Sequence, residues 1–236
     1  MFLSVKKSTL IAIALAVITV LSLVLLIVPY AASANASAAD TGKTIVIDAG
    51  HGGIDGGVQG VSTGTKESDI NLSVARELKR TLTANGYKVV MTRSNTDGLY
   101  GLSSKNKKQK DMQTRKEIIT EANADLVISI HQNFYPRSSV RGAQVFYAPK
   151  SETGKAMADK MQSVINKNLE ASDRVAHEGD YYILQCSETP SLLIECGFLS
   201  NAEDEKLLLD PDYRKKIAYT VLTGINLIFD VPANRT

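Results

Sequence analysis

Two of the three histidines in this chain end stretches dominated by apolar β-formers, Ile45-Val46-Ile47-Asp48-Ala49-Gly50-His51 and Leu126-Val127-Ile128-Ser129-Ile130-His131. Stretches of this kind carry apolar side chains on both faces, so they are stable as strands only inside a sheet that is covered on both sides. From Thr44 onward, short apolar runs alternate with amphipathic stretches, the pattern of strands and helices stacked as βαβ units. The fold class that follows is α/β, a single domain with helices on both faces of the sheet. Strands are expected over Thr44–Asp48, Lys88–Thr92, Leu126–Ile130, Gln144–Tyr147, Tyr181–Leu184 and Leu192–Glu195.

Between the strands, Ser68–Asn85 has a capping-type start at Ser68 and Asp69, helical spacing through Ile70, Leu72, Val74, Leu78 and Leu82, and Gly86 as a stop. Further helices are expected over Asp111–Ala122, Ser151–Leu169 and Glu203–Phe229, the last broken at Asp210-Pro211 because proline interrupts the hydrogen-bond ladder. Ser94–Lys110 is polar, lysine-rich and without apolar periodicity, which suits a surface connection or a loop at the edge of a groove.

The front of the chain is built differently. Lys6 and Lys7 precede an uncharged stretch from Ser8 to Val28, then Pro29 and the small residues Ala31-Ala32-Ser33-Ala34, the layout of an export signal. Ala32-Ser33-Ala34 suits cleavage, while the apolar stretch matches the ~20 residues needed to span a bilayer. Residues 1–34 are thus read as a signal peptide or a retained anchor, 35–43 as a linker and 44–231 as the folded domain. A buried core helix is excluded at the front because the run has no polar face.

An exported chain works outside the cytoplasm and meets the membrane only through its N-terminal segment. Removing residues 1–34 takes Lys6 and Lys7 with it and brings the formal charge from +2 to 0. Without a basic stripe, nucleic acid is excluded as a partner. Cys186 and Cys196, the only cysteines, form either a disulfide or two buried thiols, and no Cys-x-x-Cys spacing offers a thiolate metal site.

Three positions carry the chemistry. His51 enters a glycine-rich turn that lacks the Lys-Ser/Thr of a P-loop and the GxGxxG spacing, so the turn does not read as a phosphate cradle. His131 ends a second strand, and Glu195 ends the run Leu192-Leu193-Ile194, where a carboxylate is costly to desolvate unless it has a task. One histidine beside a core is usually structural, but two at strand ends point to a metal. A catalytic zinc takes three N or O ligands and leaves a position open. Position alone leaves Glu67, Asp55 and Asp69 as alternatives for the third ligand, since an acidic residue at a helix start is also favoured by the dipole.

Beyond single residues, Ile47-Asp48-Ala49-Gly50-His51-Gly52-Gly53, Lys66-Glu67-x-Asp69-x-Asn71-Leu72 and Ser129-Ile130-His131-x-Asn133 resemble the zinc N-acetylmuramoyl-L-alanine amidase family. Met91-Thr92-Arg93, Arg115, Gly179-Asp180-Tyr181-Tyr182-Ile183-Leu184 and Leu193-Ile194-Glu195-x-Gly197-Phe198-Leu199-Ser200-Asn201 extend the likeness over nearly all of Thr44–Phe229. The resemblance implies a twisted, mixed and mostly parallel sheet, Zn²⁺ held by His51, Glu67 and His131, and Glu195 as the catalytic carboxylate. It also implies peptidoglycan as substrate, cut between the lactyl group of N-acetylmuramic acid and L-alanine.

The Arg-x-Ala-x-x-Gly-Asp-Tyr-Tyr-Ile-Leu stretch and the N-terminal apolar segment are most similar to germination-specific, CwlD-type amidases of spore formers. That likeness implies work on spore cortex ahead of muramic-δ-lactam formation, with a lipoprotein activator as partner. Asp48, Asn133 and Arg115 are expected to support the metal ligands. Phe134 and His177 depart from the family pattern, and His177 is read as an exposed loop residue outside the metal set. A zinc carboxypeptidase is the main rival, but it would show His-x-x-Glu where His51 is followed by Gly52, Gly53 and Ile54. A non-catalytic wall-binding protein would be favoured by loss of Glu195, which is present.

Overall fold

A computed structural model describes residues 7–9, 13, 15–23, 40–101, 104–170 and 173–231. The chain divides into two units, Met1–Ala38 and Ala39–Thr236. In the first, the described residues are helical and expose Leu15, Val17, Ile18 and Val20. Among the described residues, no helix is long and apolar enough to cross a membrane. Ala31–Ala34, the expected cleavage region, lies outside them.

The second unit is one six-stranded sheet. Its strands are β1 (Thr44–Ala49), β2 (Lys88–Met91), β3 (Leu126–Asn133), β4 (Gln144–Tyr147), β5 (His177–Glu178) and β6 (Ser191–Phe198), in the order β2-β1-β3-β6-β4-β5. The pairings β1 with β2, β1 with β3, β3 with β6 and β4 with β5 are parallel, and only β4 with β6 is antiparallel. The helices are α1 (Glu67–Ala84), α2 (Lys107–Glu121), α3 (Glu152–Asn168), α4 (Tyr182–Gln185), α5 (Ala202–Leu209) and α6 (Pro211–Phe229).

Strand alternation divides the apolar side chains between two layers. Ile45, Ile47, Ile128, Ile130, Leu192 and Ile194 face the larger core, closed by α1, α3 and α6. Val46, Val127 and Leu193 face a smaller one with Ile119 of α2 and Ile183 and Leu184 of α4. Asp48, Ser129, His131 and Glu195 follow by the same period of two on the smaller side, so the thin layer carries the polar chemistry.

Local structure departs from expectation in several places. Tyr181–Leu184 is not a strand, because the short helix α4 occupies Tyr182–Gln185. There Tyr181 and Tyr182 are exposed and Ile183 and Leu184 buried, paired neighbours that a helix can sort and an alternating strand cannot. The loop after β2 ends earlier than expected, since Asn106 caps α2 by accepting the Gln109 N–H at 3.1 Å. His177, read as a loop residue, is exposed as expected but pairs with Phe146 in β5. Helix α1 starts at Glu67 without a side-chain cap, one residue before the anticipated start. The expected break is present: Asp210 ends α5 and caps α6 by accepting the Asp212 N–H. The disulfide alternative falls, because Cys186 and Cys196 are free and buried in different cores.

Candidate metal centre

His51 leaves β1 with φ of 60°, a left-handed conformation uncommon for a residue with a side chain. What holds it there is a set of donors aimed at its backbone. Arg93 Nε donates to Ala49 O at 2.8 Å and Nη2 to Gly50 O at 2.9 Å. Arg115 Nη1 donates to Ala49 O at 2.8 Å and Nη2 to His51 O at 2.7 Å. Asn71 Nδ2 adds a bond to Gly50 O at 3.2 Å.

Arg115 is 2% exposed and is balanced by Asp48 and Asp111, each at 2.6 Å. Asp48 also accepts from Thr92 and Ser129. Burial alone would raise the Asp48 pKa, but Arg115 and Ser129 outweigh it and bring it to about 2. Arg115→Met should therefore strand two buried carboxylates and destabilise the domain by roughly 3–5 kcal/mol. Urea unfolding measures this, and a change under about 1 kcal/mol would show the network to be dispensable.

Glu67, at the first position of α1, is buried and bridges the two imidazoles. Its Oε2 lies 3.2 Å from His51 Nε2 and its Oε1 2.9 Å from His131 Nδ1. The Val58, Gln132 and Asn71 N–H groups, each at 3.1 Å, complete its shell. Burial opposes its ionisation, but the histidines win and hold the carboxyl well below the usual range. The same pairing, with Asp55, raises the His51 pKa against its own burial.

The two rings meet edge to face with centroids 5.0 Å apart. One ligand atom from each of His51, Glu67 and His131 lies within 4.8 Å of the others. Gly50 makes room for this, since a Cβ there would stand 2.2 Å from His131 Cε1 and Nε2. Gly50→Ala should displace the ring, weakening metal binding at least tenfold while costing the fold roughly 1–3 kcal/mol. Metal titration and thermal melting of one sample separate the two effects, and undiminished metal affinity would contradict the close approach.

Glu195 is the register partner of His131 on the adjacent strand. It is 7% exposed, and its Oε2 has no hydrogen-bond partner among the described residues. Burial, with a smaller contribution from Glu67, pushes its pKa up to about 8. Beside these groups lies a cleft of about 220 Å³ whose walls include His51, His131, Asp55, Met112, Tyr181 and Tyr182.

The three expected ligands thus come together from β1, α1 and β3, and Glu195 stands next to them. Of the expected supports, Arg115 acts on the His51 carbonyl, whereas Asp48 reaches Arg115, Thr92 and Ser129 and no imidazole. The Asn133 side chain accepts the Phe134 N–H. Asp69 is exposed on α1, and Asp55 stands 2.9 Å from His51 Nδ1, outside the three-ligand cluster. Asn71 and Arg93 were legible only as motif letters. Their signal was polarity inside otherwise apolar elements, but which backbone oxygens they meet depends on tertiary contact.

Fold and site together define an α/β domain with a candidate metal centre at the C-terminal ends of its parallel strands. Residues 45–227 match the family described as N-acetylmuramoyl-L-alanine amidase, and the chain belongs to that family, enzymes that cut peptidoglycan. It is 38% identical over 191 residues to the germination-specific N-acetylmuramoyl-L-alanine amidase of Bacillus subtilis, covering 78% of this chain and 79% of that protein. Its structure resembles that of the CwlD amidase from Clostridioides difficile, solved in complex with the GerS lipoprotein, with a TM-score of 0.76 and 36% identity. That match covers 80% of this chain and all of the other. The catalytic domain of CwlV from Bacillus (Paenibacillus) polymyxa gives a TM-score of 0.70 at 29% identity, over 80% and 99% of the two chains. The carboxypeptidase and non-catalytic alternatives give way to this family assignment.

Proposed function

We propose that this amidase is a zinc enzyme that hydrolyses the bond between the lactyl group of N-acetylmuramic acid and L-alanine, with His51, Glu67 and His131 as ligands and Glu195 as general acid and base. The observation that carries this reading is the convergence of three N and O donors beside a buried, unpartnered carboxyl. Two imidazoles and a carboxylate are a donor set for catalytic zinc, and the space left by Gly50 accommodates the His131 ring.

Zinc held there supplies Lewis acidity that activates water near neutral pH, and positive charge that offsets the field of Glu67 at Glu195. Glu195 Oε2 takes a proton from water and then delivers it to the departing L-alanine nitrogen, which is too basic to leave unprotonated. Burial holds this carboxyl's pKa high in the metal-free domain, and the positive charge of a bound metal would lower it toward the range that serves both tasks. Tyr181, Tyr182 and Met112 wall the cleft beside the two histidines.

The setting we propose is extracytoplasmic, with 1–34 as export signal or anchor, 35–43 as linker and 44–231 as catalytic domain. Likeness to the germination-specific relative supports work on spore cortex ahead of muramic-δ-lactam formation. The solved complex of the Clostridioides difficile relative supports a lipoprotein partner. The neutral charge of residues 35–236 gives no electrostatic hold on an anionic wall, so tethering by anchor or partner would raise effective concentration toward the mM range.

Residues 35–236, purified with zinc, should release stem peptides with a free L-alanine amine and leave the lactyl carboxyl on the glycan, as read by mass spectrometry of digested peptidoglycan. Cleavage within the stem peptide instead would overturn the proposal. Intact cortex should be cut slowly without a tether, and rapid cleavage there would remove the need for a partner.

A further inference from the structure

Ring nitrogens shut away from water are nearly always partnered, yet His51 Nδ1 is buried without an aligned hydrogen bond. The acceptor within reach is Asp55 Oδ1, 2.9 Å away but off the direction in which the ring N–H points. Asp55 is itself firmly placed. Gly52 N–H donates to Asp55 O at 2.8 Å and Asp55 N–H to Gly52 O at 3.1 Å, closing a tight loop between the two. Gly57 N–H donates to Asp55 Oδ1 at 3.2 Å. Lys108 Nζ, from the first turn of α2, binds the other carboxylate oxygen.

The two nitrogens of this ring are therefore in unlike surroundings. Nε2 lies 3.2 Å from Glu67 Oε2, within the three-ligand cluster, while Nδ1 looks toward Asp55. At 2.9 Å, Asp55 Oδ1 is the acceptor that an Nδ1–H on this ring would meet. An imidazole so engaged carries its proton on Nδ1 and keeps the Nε2 lone pair free for a cation. Lys108 matters at one remove: with its side chain 64% exposed at the cleft edge, it restrains Asp55 from the solvent side.

We propose that Asp55 is the positioning residue of the metal centre, fixing His51 as the Nδ1–H tautomer so that Nε2 serves as the ligand, and that Lys108 holds Asp55 in place. This inference rests on the zinc reading of the site. It assigns to Asp55 a task on the far side of the ring from the metal, distinct from ligation.

The test compares wild type, Asp55→Ala, Asp55→Asn, Lys108→Met and His131→Ala in the whole domain with its N-terminal segment. Zinc affinity is read by competition with a chromophoric chelator, and thermal melting in chelator shows which variants fold. Asp55→Ala should bind zinc roughly 10- to 100-fold more weakly. Asp55→Asn, which keeps an acceptor oxygen, should lose less, as should Lys108→Met. In the zinc-loaded wild type, the ¹⁵N resonances of His51 should place the proton on Nδ1. Wild-type affinity in a folded Asp55→Ala protein would overturn the proposal, and so would an Nε2–H tautomer in the wild type, which needs no variant to fold. Should His131→Ala also keep its zinc, the ligand set is wrong. If His131→Ala loses zinc and Asp55→Ala does not, only the role of Asp55 falls.

Discussion

Glu195→Gln should make the protein more stable and nearly inactive. Turnover should fall by roughly 10² to 10⁴, the range expected when a positioned proton carrier is removed, while zinc should stay bound because Glu195 is outside the proposed ligand set. The stability change follows from the raised pKa. In the folded metal-free domain the carboxyl holds its proton up to about pH 8, whereas a free glutamate side chain releases it near 4.5. Between those values the native state binds more protons than the unfolded one, so stability is full below 4.5 and declines as pH rises toward 8.

Glutamine cannot ionise and does not share this decline. Every other titrating group is common to both proteins, so their difference isolates residue 195. The variant's advantage should grow between pH 5 and pH 8.5, reaching the order of 1–4 kcal/mol, as read from urea unfolding in chelator. An advantage that stays flat with pH would mean that burial does not keep this carboxyl protonated. Loss of zinc in the variant would make Glu195 a ligand instead of a proton carrier.

His131→Ala should have the largest effect on chemistry. It removes one of the three proposed donors, and the two that remain should hold the metal poorly. Activity should drop roughly 10³-fold or more, since a Lewis acid supplies several kcal/mol of charge stabilisation. The fold should survive, because Glu67 keeps the N–H groups of Val58, Gln132 and Asn71. Metal analysis of the purified variant by mass spectrometry is the check. Full zinc content would remove His131 from the site, and an unfolded variant would show that Glu67 depends on the imidazole for its burial.

How much of this was legible in the sequence depends on the range of the interaction involved. Strands β1, β3 and β6 were readable because continuous apolar runs have few other destinations, and the histidines and Glu195 at their ends inherited that clarity. The break at Asp210-Pro211 was readable because it is covalent in origin. Residues 181–184 read as a strand because Tyr, Tyr and Ile favour one, whereas burial of Ile183 and Leu184 side by side in the smaller core suits a helical turn. The choice of Glu67 over Asp55 and Asp69 came from family likeness. Geometry gives the physical reason: one carboxylate reaches both rings, one reaches the far side of a single ring, and one faces water. Asp48 meets Arg115, 67 residues away in the chain, and no imidazole, a contact that only the fold brings about.

The positions of the two cysteines bear on how such a domain responds to the redox state of its surroundings. Cys186 lies in the smaller core and Cys196 in the larger, with the sheet between them, so pairing them would require dismantling β6. Burial pushes the Cys196 thiol up to about 12, which leaves almost no thiolate to attack an oxidant or a partner disulfide. The native fold thus does not rest on a bond between these two cysteines. It offers no covalent lock between them for a reductant to open.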